Sequence, residues 1–320
     1  MQDLIDNLVR FIKSEKGKIA IITHANPDGD AIGSLMGLYL YLKKAGKRVV
    51  PVLKDRVPSY LDFVPSISEI KSELEEEFDT IILVDASEFS RTGIEEPPIN
   101  RIIRIDHHIS GKKYSDYDVV VPEAPSTASL ILEFAKKYDE RLIDSKIKTC
   151  IYTGLLTDTA SFRHSNSFKW AFSDAYYLVS NGLDVTDIAS LVYERKKLKT
   201  LKLLGKVLSE IFLKDGVAFI VIKRSLLEEL GLDRSETEGF VNYPLSVDQA
   251  IVGVSVTEIG EKEWRISLRG KNKVNLAKVA ETFGGGGHFN AAGCSIRGEL
   301  DNVINLLVET INTYKIEKGA

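Results

Sequence analysis

Short apolar runs alternate with longer mixed stretches through the first half of the chain. A β-branched run at 18–23 (KIAIIT) leads into the turn NPDGD, and a breaker-poor stretch follows at 31–45. Gly46 suits the end of a helix there. Further apolar runs lie at 48–53, 80–85 and 101–106. Such runs, spaced by helical stretches, predict a parallel sheet covered by helices. Residues 1–18 place Leu, Ile, Val and Phe at helical spacing among charges, which predicts an amphipathic first helix. The same spacing predicts helices at 126–139, 144–157, 170–181 and 184–193.

The pattern then changes. The stretch 194–212 (ERKKLKTLKLLGKVLSEIF) is basic and helical in period, with few core-like residues at its start. It reads as a solvated linker helix, or as a patch that attracts an anionic substrate. Beyond it come a strand at 217–222, a helix at 225–230, and a strand pair at 250–259 and 263–270. A helix at 274–282, the glycine tract 284–287, a short strand CSIR and a last helix at 300–315 complete the chain. The expected fold class is α/β: a mainly parallel sheet flanked by helices, plus a smaller α/β domain with antiparallel character. The expected division is 1–194, a linker helix at 195–213, and 214–320.

Composition fits this division. The chain has 320 residues, 44% hydrophobic and 28% charged, about two domains at roughly 150 residues each. The net charge is −4, with −6 in residues 1–190 and +2 in 191–320. That excludes a basic coat for long nucleic acids, which needs many Lys and Arg contacts to phosphate. An acidic front suits metal cations, and a mildly basic back suits an anionic ligand. Cys150 and Cys294 form no CxxC pair, so a reducing, cytoplasmic setting is expected. No apolar run reaches the ~18 residues of a membrane span, so no membrane partner is expected.

Candidate chemistry gathers where polar residues end the apolar runs. His24 closes the first strand, and Asp28 and Asp30 follow in a turn shaped by Pro27 and Gly29. Asp85 closes the run LVD, and Asp106, His107 and His108 close RID. Asp158 ends a predicted helix. Singly, Asp28, Asp30, Asp85 and Asp158 also suit helix caps or turns. Together they suit a ligand crevice beyond the carboxyl ends of the strands. So many carboxylates in one crevice repel each other unless cations neutralise them. Mixed carboxylate and imidazole donors suit Mn²⁺ best, with Mg²⁺, Co²⁺ or Fe²⁺ also acceptable. The donor count suits two ions, and a pair about 3.5–4 Å apart is the usual clamp for phosphoester hydrolysis by an activated hydroxide.

A second constellation lies in the back half. In FGGGGHFNAAG the glycines Gly285, Gly286 and Gly287 let backbone N–H groups converge on an anion, and His288 follows. A flexible loop is the plain alternative. Arg269, ending a predicted strand, could fork onto a phosphate, with Lys271 and Lys273 adding charge. His164 suits either a substrate contact or the surface. No P-loop, GxGxxG, HExxH or GxSxG pattern is present.

HANPDGDAIGS, VDAS, DHH and Asp158 together resemble the four motifs of the DHH phosphoesterases. FGGGGHFNAAG resembles the signature of their DHHA1 substrate domain. The resemblance spans nearly the whole chain, and its compact size resembles the branch of NrnA-type oligoribonucleases and pAp phosphatases. It implies that His24, Asp28 and Asp85 hold one metal. Asp30, Asp85, His107 and Asp158 would hold the other, with Asp85 shared. His108 would face the phosphate, Asp106 would orient the histidines, and Arg269, His288 and the glycine backbone would hold the substrate's terminal phosphate and sugar. Thr159-Ala160 stands where the family usually has Thr-Gly, and Gly270 where Ser is common. Both departures bear on substrate choice.

The expected activity is hydrolysis of short RNA or DNA oligonucleotides such as pApA, or of pAp, to mononucleotides, with the substrate's length measured between the two domains. A cyclic di-AMP phosphodiesterase is the alternative within catalysis, and a nucleotide-binding regulator the alternative outside it. A homodimer is left open.

Overall fold

The computed structural model describes residues 1–99, 101–163 and 168–316. His164 lies outside the described residues. The chain divides into two compact units, Met1–Arg195 and Lys196–Ala320.

In the first unit the elements run α1 (Gln2–Ser14), β1 (Lys18–Ile22), α2 (Gly29–Lys44), β2 (Arg48–Val52), β3 (Thr80–Val84), β4 (Ile102–Asp106), β5 (Val119–Val120), α3 (Thr127–Asp139), α4 (Ser145–Asp158), α5 (Phe168–Ser180) and α6 (Val185–Tyr193). The strands form a parallel sheet in the order β2-β1-β3-β4-β5. Successive residues of one strand enter different cores. Ile19, Ile21, Ile82 and Val84 join a large cluster with α1 to α4, while Ala20, Ile22, Ile81 and Leu83 join Phe89 in a smaller one. Burial on both faces is why these strands read as unbroken apolar runs. The chain steps outward to β2 on one side of β1 and to β3 on the other, so β1 and β3 flank the point where strand order reverses. Crevices in such sheets open there, beyond the strands' carboxyl ends.

Helix α2 is buried on nearly every side and packs closely on α4. Glycine makes the approach possible. A Cβ on Gly33 would lie 2.5 Å from the Cys150 carbonyl oxygen, and one on Gly29 2.3 Å from Thr157 Oγ1. Two glycines in PDGDAIGS therefore serve helix packing.

The second unit comprises α7 (Leu198–Leu208), β6 (Phe212–Lys214), β7 (Val217–Ile222), α8 (Arg224–Leu230), α9 (Asn242–Leu245), β8 (Val252–Gly260), β9 (Glu263–Gly270), α10 (Leu276–Glu281), β10 (Gly286–His288), β11 (Ala291–Arg297) and α11 (Leu300–Thr313). Its sheet order is β10-β11-β9-β8-β7-β6, antiparallel except for the β7–β8 pair. One face packs on α10 and α11. The β7 side of the other face packs on α7, α8 and Phe240.

Three expectations change here. The stretch 195–213 is not a solvated linker. Leu203, Leu204 and Val207 of α7 pack on Ile220, Ile222 and Phe240 within the second unit, and the stretch runs on into β6. The glycine tract is not an open loop, because Gly286 and Gly287 belong to strand β10. The strand expected at CSIR starts earlier, at Ala291. No helix among the described residues is long and apolar enough to cross a membrane.

Two stability effects follow. Gly33→Ala drives a methyl into the backbone of α4, where no rotamer relieves it. It should lower unfolding free energy by about 1–3 kcal/mol, read from urea unfolding; an unchanged midpoint would show that the helices have room to part. Asp174 on α5 is 1% exposed. Burial pushes its carboxyl up to about 7, against a Ser129 hydrogen bond and the Lys136 charge. The folded state thus holds a proton that the unfolded chain releases near pH 4. Stability from this group is full below about pH 4 and is lost as pH rises towards 7. Asp174→Asn should flatten that fall; an equally steep fall in the variant would assign it elsewhere.

Candidate metal centre

The turn after β1 presents two donors. His24 Nδ1 donates to the Ala25 carbonyl at 2.8 Å, which leaves Nε2 as the ligand nitrogen. That Nε2 lies 3.6 Å from Asp85 Oδ2. Asp28 caps α2, its Oδ1 accepting from the Asp30 and Ala31 backbones at 3.1 and 3.0 Å. Cap and candidate ligand are the same residue: one oxygen serves the helix and the second is left for a cation.

Asp30, in the first turn of α2, is 1% exposed. Its Oδ2 accepts from Thr127 N at 2.7 Å, and its Oδ1 from Ala128 N at 3.0 Å and Ser34 Oγ at 3.1 Å. The first turn of α3 is therefore aimed at this carboxylate, as the positive end of a helix favours.

Asp85 sits immediately past β3 in a left-handed conformation, φ +54°. A non-glycine residue there is strained unless its surroundings hold it. Its N–H donates to the Ile105 carbonyl at 3.1 Å and its Oδ1 accepts from Thr127 Oγ1 at 2.9 Å. The turn faces its carboxylate towards three imidazoles: His24, His107 with Nε2 at 3.8 Å, and His108 with Nδ1 at 3.8 Å.

The end of β4 and the two residues after it sort three polar side chains by layer. His107 Nδ1 donates to the Ala124 carbonyl at 3.2 Å, and its Nε2 lies 3.6 Å from Asp158 Oδ2 and 4.0 Å from Asp30 Oδ2. Asp106 is fully buried and serves its neighbours. Its Oδ1 accepts from His108 Nδ1 at 2.7 Å and from the His108 backbone N–H, and its Oδ2 accepts from Arg104 Nε at 2.9 Å. Asp158 is the last residue of α4, followed by left-handed Ala160, Ser161 and Phe162.

Three groups result, each with ligand atoms within 4.8 Å of one another: His24–Asp28–Asp85, Asp30–His107–Asp158 and Asp85–His107–His108. They share Asp85 and His107, so they form one continuous centre.

Burial pushes Asp30 well up, with the Asp85 and Asp158 charges adding to it, and pushes Asp158 to about 6. Burial opposes ionisation of Asp85 too, but His24, His108 and His107 outweigh it and hold this carboxyl far below the usual range. Burial disfavours charged His24 and His107, yet the surrounding carboxylates carry both up to about 9. The set thus holds protons in order to coexist. A set of buried oxygen and imidazole donors that needs positive charge in its midst fits divalent cations.

Two contributors were missed from sequence. Thr127 grips Asp30 and Asp85 at once; the only signal was the helix-cap pattern PSTAS. Arg104, 3% exposed, braces Asp106 and the carbonyls of His108 and Ser110; the signal was an arginine inside an apolar strand.

In the second unit, Arg269 lies near the end of β9, with Nη1 donating to the Leu268 carbonyl at 3.0 Å. Ala291 is its cross-strand neighbour. A Cβ on Gly285 would meet the Gly293 carbonyl at 2.2 Å, and one on Gly287 (φ +149°) the Ala291 carbonyl at 2.4 Å. The tract is glycine because it folds flat against β11. His288 closes β10 and pairs with Ala291.

The comparisons with known proteins cover both units. The DHH family, N-terminal domain, matches residues 18–155, and the DHHA1 domain matches 215–315. A bifunctional oligoribonuclease and PAP phosphatase NrnA of Thermus thermophilus is 30% identical over 315 residues, 98% of this chain and 94% of the relative. Its Bacillus subtilis namesake is 28% identical over 283 residues, 87% of this chain and 89% of the relative. The crystal structure of an exopolyphosphatase-related protein from Bacteroides fragilis superposes with a TM-score of 0.87 at 28% identity, covering 98% of this chain and 97% of that one. With DHH and DHHA1 domains in sequence and a full-length NrnA-type relative at this identity, the chain belongs to the DHH/DHHA1 family of phosphoester hydrolases, in its NrnA-type branch.

Proposed function

We propose that this hydrolase acts on short oligonucleotides such as pApA, and on pAp, releasing mononucleotides. The observation that carries the reading is the run of three donor groups joined through Asp85 and His107. One ion would be held by His24, Asp28 and Asp85, and the other by Asp30, Asp85, His107 and Asp158. Two divalent ions bound there supply the charge that acidifies an attacking water and offsets the phosphate. Mn²⁺ suits the donor set best, with Mg²⁺ or Co²⁺ as substitutes.

The remaining roles belong to the chain's own groups. His108 is turned by Asp106, which binds its Nδ1, so its Nε2 is the nitrogen to meet the scissile phosphate. Burial opposes ionisation of Asp106, but the His108 ring it binds, helped by the Arg104 charge, holds its carboxyl below the usual range. In the second unit, Arg269, His288 and the backbone of Gly285, Gly286 and Gly287 would hold the substrate's terminal phosphate. The NrnA-type relatives support this substrate class by their names.

Asp85→Ala or His107→Ala should reduce Mn²⁺-dependent turnover of pApA and pAp by more than about 100-fold, beyond the effect typical of outer partners. Circular dichroism should report a folded chain. Wild-type-like rates in either variant would remove the residue from the centre. Asp106→Asn should cost about 10–100-fold. Arg269→Ala should raise KM with little change in kcat; an unchanged kcat/KM would overturn its phosphate role. Two bound metals with no turnover of pAp, pApA, longer RNA or cyclic di-AMP would favour a regulator over an enzyme.

A further inference from the structure

The outer face of the second sheet carries a feature beyond Arg269. Side chains alternate along β9, so Trp264, Ile266 and Leu268 enter the core while Arg265, Ser267 and Arg269 share the opposite face. The cross-strand register sets three rows over that face. Arg269 stands between Gly253 and Ala291, Ser267 between Ser255 and Gly293, and Arg265 between Thr257 and Ser295. Two arginines thus bracket a floor of small residues. On one side the floor is walled, because α9 packs so closely that a Cβ on Gly253 would lie 2.4 Å from Leu245 N. Towards β11 it is open: Ser267, Ala291 and Gly293 are half-buried and Arg265 and Ser295 exposed. Arg265 leans across it, with Nη2 4.0 Å from where a Gly293 Cβ would stand. The next row down the strands carries Glu263, and Arg297 Nη2 lies 3.5 Å from its carboxylate. No acidic side chain therefore stands in the three rows between the arginines.

Arg265 and Arg269 are four residues apart on β9, which along an antiparallel strand is about 14 Å, comparable to two steps between successive phosphates of an extended single strand. We propose that Arg265 is a second phosphate site, and that this track takes oligonucleotides with one phosphate at Arg269 and the next but one at Arg265. The backbone between them would cross Ser267 and Gly293, where the serine hydroxyl can meet a ribose hydroxyl. The inference rests on the reading of Arg269 as a phosphate ligand and deepens it: a chain of several nucleotides gains a contact that pAp cannot reach.

The test is binding by the full chain with Mn²⁺ present, using phosphorothioate analogues of pAp and of a 5′-phosphorylated tetra-adenylate, both of which resist cleavage. Arg265→Ala should weaken tetranucleotide binding about tenfold more than pAp binding. It should also lower the slope of log affinity against log salt by about 0.7, one phosphate contact on a single strand. Arg265→Lys should keep the slope and part of the affinity. Equal effects of Arg265→Ala on the two ligands, or none on either, would overturn the site. An Arg269→Ala variant run in parallel separates the two readings. If Arg269→Ala binds both ligands as the wild type does, the cradle fails; if only Arg265→Ala is silent, the second site fails and the cradle stands.

Discussion

A carboxylate buried beneath several helices must be met by donors or cations, and Asp30 is where that requirement organises this molecule. It sits in the first turn of α2, and its two oxygens are held by the first backbone N–H groups of α3. A Cβ on Gly154 of α4 would fall 2.6 Å from one of those oxygens, so α4 also closes on it. Three helices therefore converge on one charge. The contact fixes α2 against α3, and the same geometry brings Asp158, at the end of α4, to His107. Packing and chemistry are not separable at this point. A change that loosens α2 from α4 moves a candidate ligand.

Asp85 shows the same coupling at the level of the backbone. Its positive φ is unfavourable for a side chain with a Cβ, and the next peptide plane must turn sharply after a straight, wholly buried strand. The turn is held by one hydrogen bond to β4 and by the Thr127 hydroxyl. What it achieves is an orientation: an extended residue would continue the strand's alternation, whereas here the carboxylate faces three imidazoles. The strain is small beside the interaction of an ionised carboxylate with those rings, which also holds the Asp85 carboxyl down while burial pushes those of Asp30 and Asp158 up.

Much of this was legible from sequence because burial on both faces leaves unbroken apolar runs, and a polar residue ending such a run is conspicuous. His24, Asp85 and the DHH segment stand out for that reason. Arg104 was hidden by the same rule. It occupies a strand position two before Asp106, hence on the same face, and only the fold shows that the two meet. Thr127 was hidden because a hydroxyl beside a helix start reads as a cap, and its second partner, Asp85, is 42 positions away. The glycine tract lacked side chains whose alternation could reveal β10. In α7 a narrow buried stripe is diluted by lysines, and its partner Phe240 comes much later in the chain. Local pattern shows where chemistry ends a strand. It does not show which distant groups hold that chemistry in place.

The uneven charge of the two halves takes on a different meaning in this light. An excess of −6 over residues 1–190 would ordinarily describe an acidic surface. Four of those carboxylates, Asp28, Asp30, Asp85 and Asp158, belong instead to one centre, and Asp30 and Asp85 are almost wholly buried. Surface charge is screened within about 10 Å at moderate salt, and buried charge much less, so the buried Asp30 and Asp85 act mainly on their neighbours in the centre. Two divalent cations carry the opposite charge in equal amount. Much of the front half's acidity is gathered in this candidate metal centre. The excess is a property of the site, and little of it is left over to repel an anionic substrate.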